Sequence, residues 1–168
     1  WTLDPVNQRN HILSYQYFGR TASGTWSGII YTESGDPVDR IEFKELLGKA
    51  IEHGRQEGHL PRTWPTEVYA AAHFSRGDLS AFRDFDKLYS QFDGIRGTFT
   101  SLTSSYDTNY YDASKNKHPL KIRLVDTQLL TPGNKGLASL GDMYGLPKLS
   151  LPPGMIEHMD VLLREDKP

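Results

Sequence analysis

Two apolar runs in this chain each end within a few residues of an aspartate. "TEVYAAAHFSRGD" leads into Asp78, and "LKIRLVDT" leads into Asp126. Their β-branched and aromatic content suits strands, and the first run is apolar enough to be buried on both faces of a sheet. Strands of this kind need helices packed against them. The loops beyond their carboxyl ends are then where polar side chains gather. Two readings of the aspartates follow. Carboxylates are hard oxygen ligands suited to Mg²⁺ or Mn²⁺, and two such ions can activate water and stabilise the leaving oxygen in phosphodiester cleavage. Alternatively, Asp78 N-caps a helix and Asp126 only satisfies a turn.

The rest of the chain supplies the sheet's neighbours. "HILSYQYFG" and "TWSGIIYTES" flank "RTASG", a loop composition that predicts an antiparallel hairpin. "DRIEFKELLGKAIEHGRQEG" has apolar residues at Ile41, Phe43, Leu46, Leu47, Ala50 and Ile51, a helical spacing with Asp39 as N-cap and Gly58 as stop. A helical pattern returns in "DLSAFRDFDKLYSQF". The polar tract "TSLTSSYDTNYYDASKNKHP" fits a surface loop or hairpin better than core. "GNKGLASLGDMYGLP" predicts a short helix with Leu137, Leu140, Met143 and Tyr144 on one face, and a turn and a further helix close the chain. Strands, helix, strand, helix, strand, helix predicts one α/β domain over residues 1–168, built on a sheet of mixed direction.

Composition narrows the function classes. A net charge of −2 does not advertise a nucleic-acid partner, though it leaves room for a local basic face. With no cysteine, disulfides and thiolate zinc sites are excluded. No apolar run approaches the roughly 20 residues of a membrane span and no signal peptide opens the chain, so the expectation is a cytoplasmic protein without a membrane partner. The opening on Trp1 and the charged ending "LLREDKP" suggest an internal segment of a longer chain.

"AAAHFSRGDLSAF", "LKIRLVDTQLLTP" and "GLASLGDMYGLPKLSLP" occur in the order and spacing of a proofreading 3′–5′ exonuclease domain. The chain resembles the DEDD exonucleases of ribonuclease H-like fold, particularly the exonuclease domain of family B DNA polymerases. That resemblance implies a ribonuclease H-like α/β mixed sheet flanked by helices. It also implies two-metal hydrolysis of single-stranded DNA 3′ ends with Mg²⁺ or Mn²⁺, and a polymerase domain in the same parent chain. It places a metal carboxylate at Asp78, with Asp126 beside the metal carboxylates, and substrate contacts at His73, Phe74 and Thr127. Phe74 stands where the family has Asn, and stacking on a base would substitute for that contact. Lys148, in "GLPK", maps onto a basic residue near the scissile phosphate.

Departures from the family pattern matter equally. Asp-x-Glu of the first motif has no match, and the resemblance places it just before Trp1. The last motif, Tyr-x-x-x-Asp on a final helix, is expected shortly after Pro168; Tyr106, Tyr110, Tyr111 and Tyr144 have no Asp four residues on. The 168-residue segment alone is therefore expected to be inactive. A catalytically silent exonuclease-like module that binds nucleic acid or protein is the alternative, and a structural domain with helix-capping aspartates is a third.

Other motifs weigh less. His73-x-x-x-x-Asp78 also fits the final motif of histidine-type DEDD exonucleases, where a helix-borne His is general base. His53 and His59 with Arg55 between them read as a solvated helix end rather than a metal site. "GNKG" falls short of a phosphate loop and reads as a helix start. Tyr106, Tyr110 and Tyr111 with Lys115 and Lys117 form a candidate stacking surface for single strands.

Overall fold

The computed structural model describes residues 2–165 apart from positions 5, 7, 8, 132, 134, 149, 156 and 157. Thr2–Asp4 (β1) and Arg9–His11 (β2) pair antiparallel. Ser14–Thr21 (β3) and Gly24–Tyr31 (β4) form the hairpin that their composition predicts. A three-stranded sheet has Lys117–Asp126 (β9) at its centre, parallel to Glu67–Ala72 (β5) and antiparallel to Tyr106–Tyr111 (β8). A small ladder, Asp93–Ile95 (β6) with Thr98–Thr100 (β7), lies between them in sequence. The helices are Phe43–Gln56 (α1), Ser75–Leu79 (α2), Phe85–Tyr89 (α3), Leu137–Met143 (α4) and Met159–Glu165 (α5). The architecture is mixed α/β.

α1 joins the two main sheets, lying against β3, β4 and β8. It buries Phe43, Leu46 and Ile51, as the apolar spacing predicts, and stops where Gly58 takes a φ of +77°. Its start differs from expectation. Asp39 belongs to a preceding 3₁₀ turn, and Glu42 is the N-cap, in a capping box with Glu45. Buried Asp84 adds a carboxylate oxygen 3.0 Å from the Phe43 N–H. A non-local partner 41 residues away thus fixes the helix start, which local spacing cannot reveal.

Further expectations are corrected. Among the described residues the hairpin and the three-stranded sheet are separate, with no ladder joining β3 to β5. β5 is buried on one face only: Tyr69 and Ala71 point to solvent while Val68, Ala70 and Ala72 turn inward. "DLSAFRDFDKLYSQF" is broken into α2 and α3, because the intervening turn brings the Arg83 N–H to the Ile41 carbonyl. The polar Ser/Thr/Tyr tract is a hairpin arm as expected, but Tyr110 is core, 1% exposed against Trp64 and His118. The apolar face expected of α4 stands largely open, with Leu137, Met143 and Tyr144 exposed. "GNKG" includes position 134, outside the described residues.

Trp26 docks the hairpin onto α1. Its indole donates to the Ala50 carbonyl at 2.8 Å and lies between two glycines, Gly19 of β3 and Gly54 of α1. A Cβ at Gly54 would stand 2.5 Å from the indole carbons. Alanine is worth about 1 kcal/mol over glycine inside a helix, whereas overpacking a filled site costs about 1–3 kcal/mol. The clash wins. Gly54→Ala is therefore expected to lower stability by about 1 kcal/mol in denaturant unfolding. Trp26→Phe should reduce that penalty in the double variant, because the smaller ring leaves room for the added methyl.

Candidate functional site

Because β5 and β9 run parallel and Ala72 lies opposite Asp126, both strands deliver their carboxyl ends to one side of the sheet. The segments leaving them meet there. Thr127 donates its hydroxyl to the Ala72 carbonyl at 3.0 Å, and His73 Nδ1 lies 3.1 Å from that Thr127 hydroxyl oxygen. With the threonine proton committed to Ala72, Nδ1–H of His73 is the donor of that contact. Its Nε2 is buried without a hydrogen-bond partner. His73 sits between strand and helix rather than on a helix, so the histidine-type motif loses its structural context.

Asp126 is 2% exposed, and its carboxylate is filled. Oδ1 accepts from the Phe74 N–H at 3.0 Å and the Gln128 N–H at 2.8 Å. Oδ2 accepts from the Ser75 N–H at 2.5 Å and from the Thr98 hydroxyl. Two acceptor bonds on each oxygen use its lone-pair capacity. Burial alone would push the Asp126 carboxyl upward, but the hydrogen bonds of Thr98 and Ser75 and the Gln128 amide outweigh it. The net shift is below the ordinary carboxylate value. Asp126 caps the 3₁₀ turn Thr127–Leu130, as the turn reading of the sequence allows, and also bridges β9 to α2 and β7.

Asp78 differs in every respect. It does not N-cap a helix: α2 starts at Ser75, and Phe74 occupies the cap position with left-handed backbone, φ 67° and ψ 56°. Asp78 lies near the other end of α2, exposed, on the wall of a cleft of about 980 Å³. The surrounding protein raises its pKa, Asp126's negative charge raises it further, and His73 opposes both. Residue-level exposure and this desolvation agree with a carboxylate that opens to solvent from within a recess.

The left-handed backbone at Phe74 costs a non-glycine residue about 1–2 kcal/mol. Hydrogen bonds to a charged acceptor are worth roughly 1.5–3 kcal/mol each. Asp126 holds the amides of both Phe74 and Ser75, so its grip more than offsets the cost. The Phe74 ring is thereby presented at 47% exposure, against Gly77, where a Cβ would lie 2.9 Å from the ring.

His73, Phe74, Asp126 and Thr127 thus gather at the strand ends, while Asp78 alone among the expected site residues lines the cleft. Lys148 is exposed after α4 and is not part of the cleft wall. His53 contacts Tyr17 and Glu57, and His59 stacks on Trp26, so both belong to the hairpin–α1 contact. Tyr110 is lost to the core, which removes the middle of the expected tyrosine surface. Tyr89 and Asp93 have the Tyr-x-x-x-Asp spacing, unremarked in the sequence. They straddle the end of α3 and the start of β6, and Asp93 is held by Leu102 and Thr103. Among the described residues no three His, Asp or Glu side chains are grouped to hold a metal ion. Of the two expected metal carboxylates, Asp126 meets four protein donors, while Asp78 faces solvent from the cleft wall.

The two aspartates should respond oppositely to neutralisation. Asp126→Asn turns one oxygen into a donor facing protein donors, an expected loss of about 3 kcal/mol in urea unfolding at neutral pH. Since the folded pKa of Asp126 is depressed, its contribution is present above the unfolded value, near 3.8, and disappears as pH falls through the lower folded value. Asp78 is raised, so its ionisation costs stability as pH rises through the carboxylate range, and Asp78→Asn should raise Tm at pH 7. A Tm that falls with Asp78→Asn would refute this assignment.

No protein-family model matches the sequence, and no solved structure matches it. The chain is 30% identical to the primer-independent DNA polymerase PolB of Escherichia coli over an alignment of 185 positions. That alignment takes in 99% of this chain and 21% of the polymerase, so the chain spans about a fifth of its relative's length. Among the described residues no helix is long and apolar enough to cross a membrane. What the comparison establishes is likeness to one stretch of a DNA polymerase.

Proposed function

We propose that this chain is the exonuclease-like part of a DNA-polymerase-type protein and receives an unpaired DNA 3′ end at the β5–β9 strand ends. The observation that carries the reading is the paired presentation of Phe74 and Asp78. A strained turn holds an aromatic ring toward solvent four residues before an exposed carboxylate, within a stretch similar to a DNA polymerase. Strained backbone clusters at binding and active sites, and here the strain that Asp126 holds turns an aromatic ring toward solvent. A 3′ end reaches such a place unpaired, and a ring without hydrogen-bond readout stacks on any base. The ribonuclease H-like arrangement belongs to the same proposal.

Of the two expected metal carboxylates, Asp78 is the one open to a hard cation, and cleavage needs further acidic groups than the described residues bring together. Lys148 belongs to the proposal only as a charge that closes toward the strand ends when DNA is bound. The filled carboxylate of Asp126 favours a second reading, a silent module that holds single-stranded DNA without cutting it.

The test uses the full-length gene product with a 5′-labelled single-stranded oligonucleotide and Mn²⁺. Shortening from the 3′ end is expected, and Asp78→Ala should slow it at least 100-fold while leaving binding within about twofold. Phe74→Ala should weaken single-strand binding by roughly 5- to 150-fold, the equivalent of 1–3 kcal/mol for one stacked base. Binding without shortening selects the silent module. Wild-type rate in Asp78→Ala, or unchanged binding in Phe74→Ala, refutes the site.

A further inference from the structure

Among the described residues, Phe74, Arg96 and Lys115 have left-handed backbone without being glycine. Lys115 belongs to the turn that leads into β9, at the opposite end of that strand from Asp126. The other two share an anchor. Arg96 and Gly97 are the loop residues between β6 and β7, since Ile95 pairs with Thr98, and their φ angles are +50° and +82°. Two-residue hairpin loops with positive φ at both positions favour Asn-Gly or Asp-Gly. Arginine has neither glycine's freedom nor asparagine's local hydrogen bond, so turn geometry alone does not account for it.

The place of this turn follows from how β7 is held. The Ser101 N–H donates to the Leu124 carbonyl at 2.9 Å, and the Thr98 hydroxyl donates to the Asp126 carboxylate. β7 therefore runs opposite to β9, and the chain traced back beyond Thr98 passes the carboxyl end of β9. Arg96 stands there, at the same end of the sheet as Phe74 and Thr127. Its support is shared with the ring. Thr98 and Ser75 bond each other through their hydroxyls, and both donate to the Asp126 carboxylate that holds the Phe74 amide. Arg96 is exposed, and its guanidinium has no hydrogen-bond or ion-pair partner among the described residues.

We infer that Arg96 is a phosphate-binding residue for the single strand whose base stacks on Phe74. The inference rests on the single-strand reading proposed above and adds a contact of different chemistry to it. A guanidinium offers paired N–H donors to the free oxygens of a phosphodiester, and that backbone is the same whatever the base. Stacking on a ring is not driven by counterion release, whereas a cation's contact with phosphate is. Two turns fixed to one buried carboxylate hold ring and guanidinium in a set relation, which limits the ordering that binding requires.

Fluorescence anisotropy with a labelled oligothymidylate and the full-length gene product, without metal and across a salt series, tests it. Arg96→Asn is the telling variant, because asparagine suits left-handed backbone and the turn should fold at least as well. It should raise Tm, weaken binding by about 5- to 10-fold at low salt, and make the slope of log affinity against log salt shallower by about 0.7, the share of one single-strand phosphate. Arg20→Asn, an equal loss of charge at the turn end of the β3–β4 hairpin, should leave that slope unchanged. Unaltered affinity and slope in Arg96→Asn, while Phe74→Ala still weakens binding, would overturn the inference and leave the stacking reading standing. Equal slope changes in Arg96→Asn and Arg20→Asn would point to overall charge rather than a contact and overturn it as well. A fall in Tm with Arg96→Asn would assign the arginine to the turn itself, against the inference. No single-strand binding by the wild type overturns the stacking reading and the inference together.

Discussion

The carboxylate of Asp126 holds three separated pieces of chain at one point: the end of β9 that carries it, the β5–α2 turn, and Thr98 of β7. Ser75 closes the arrangement, since its hydroxyl bonds the Phe99 carbonyl and accepts the Phe99 N–H. Ser75, Thr98 and Asp126 are all buried, and a buried charge is tolerable only when its hydrogen-bonding capacity is met. Here it is met by protein alone. Loss of any donor leaves the others facing an under-satisfied ion, so the cluster behaves as a unit rather than as a sum of pairs.

That cluster explains why the strained turn persists. Left-handed backbone at Phe74 would ordinarily relax toward an extended or helical conformation, and nothing in the residue itself opposes this. Relaxation would withdraw the amides of Phe74 and Ser75 from a carboxylate that has no water to replace them. The strain at the exposed ring is therefore maintained from the buried side of the sheet. Position and chemistry are divided between two aspartates: the buried one fixes the backbone, and the exposed one faces solvent.

Residue type made Asp78 and Asp126 look alike, and pattern alone could not separate them. The strands ahead of both, the hairpin and α1 were legible because each depends on local composition and spacing. What separates the aspartates is non-local. Whether the Asp126 lone pairs are free depends on Thr98 and Ser75, 28 and 51 residues away. The same limit hid Asp84 as a partner of the α1 start and Tyr110 as core within a polar tract. It also hid the one-sided burial of β5, since alanines read as buried in either case. Tyr89 and Asp93 illustrate the converse: a spacing that matches a motif carries nothing once a helix end falls between the residues.

The separateness of the two sheets bears on how the site should be read. Parallel strand pairs are ordinarily covered on both faces and flanked by further strands, yet β5 is an edge strand beside an apolar cleft. Asp78 stands on the wall of that same cleft. Any group that enters this cleft would bear directly on the surroundings of Asp78. Desolvation of Asp78 would then deepen, raising its pKa further unless the newcomer also brought positive charge. The electrostatics of Asp78 and the occupancy of the cleft are for this reason one physical problem.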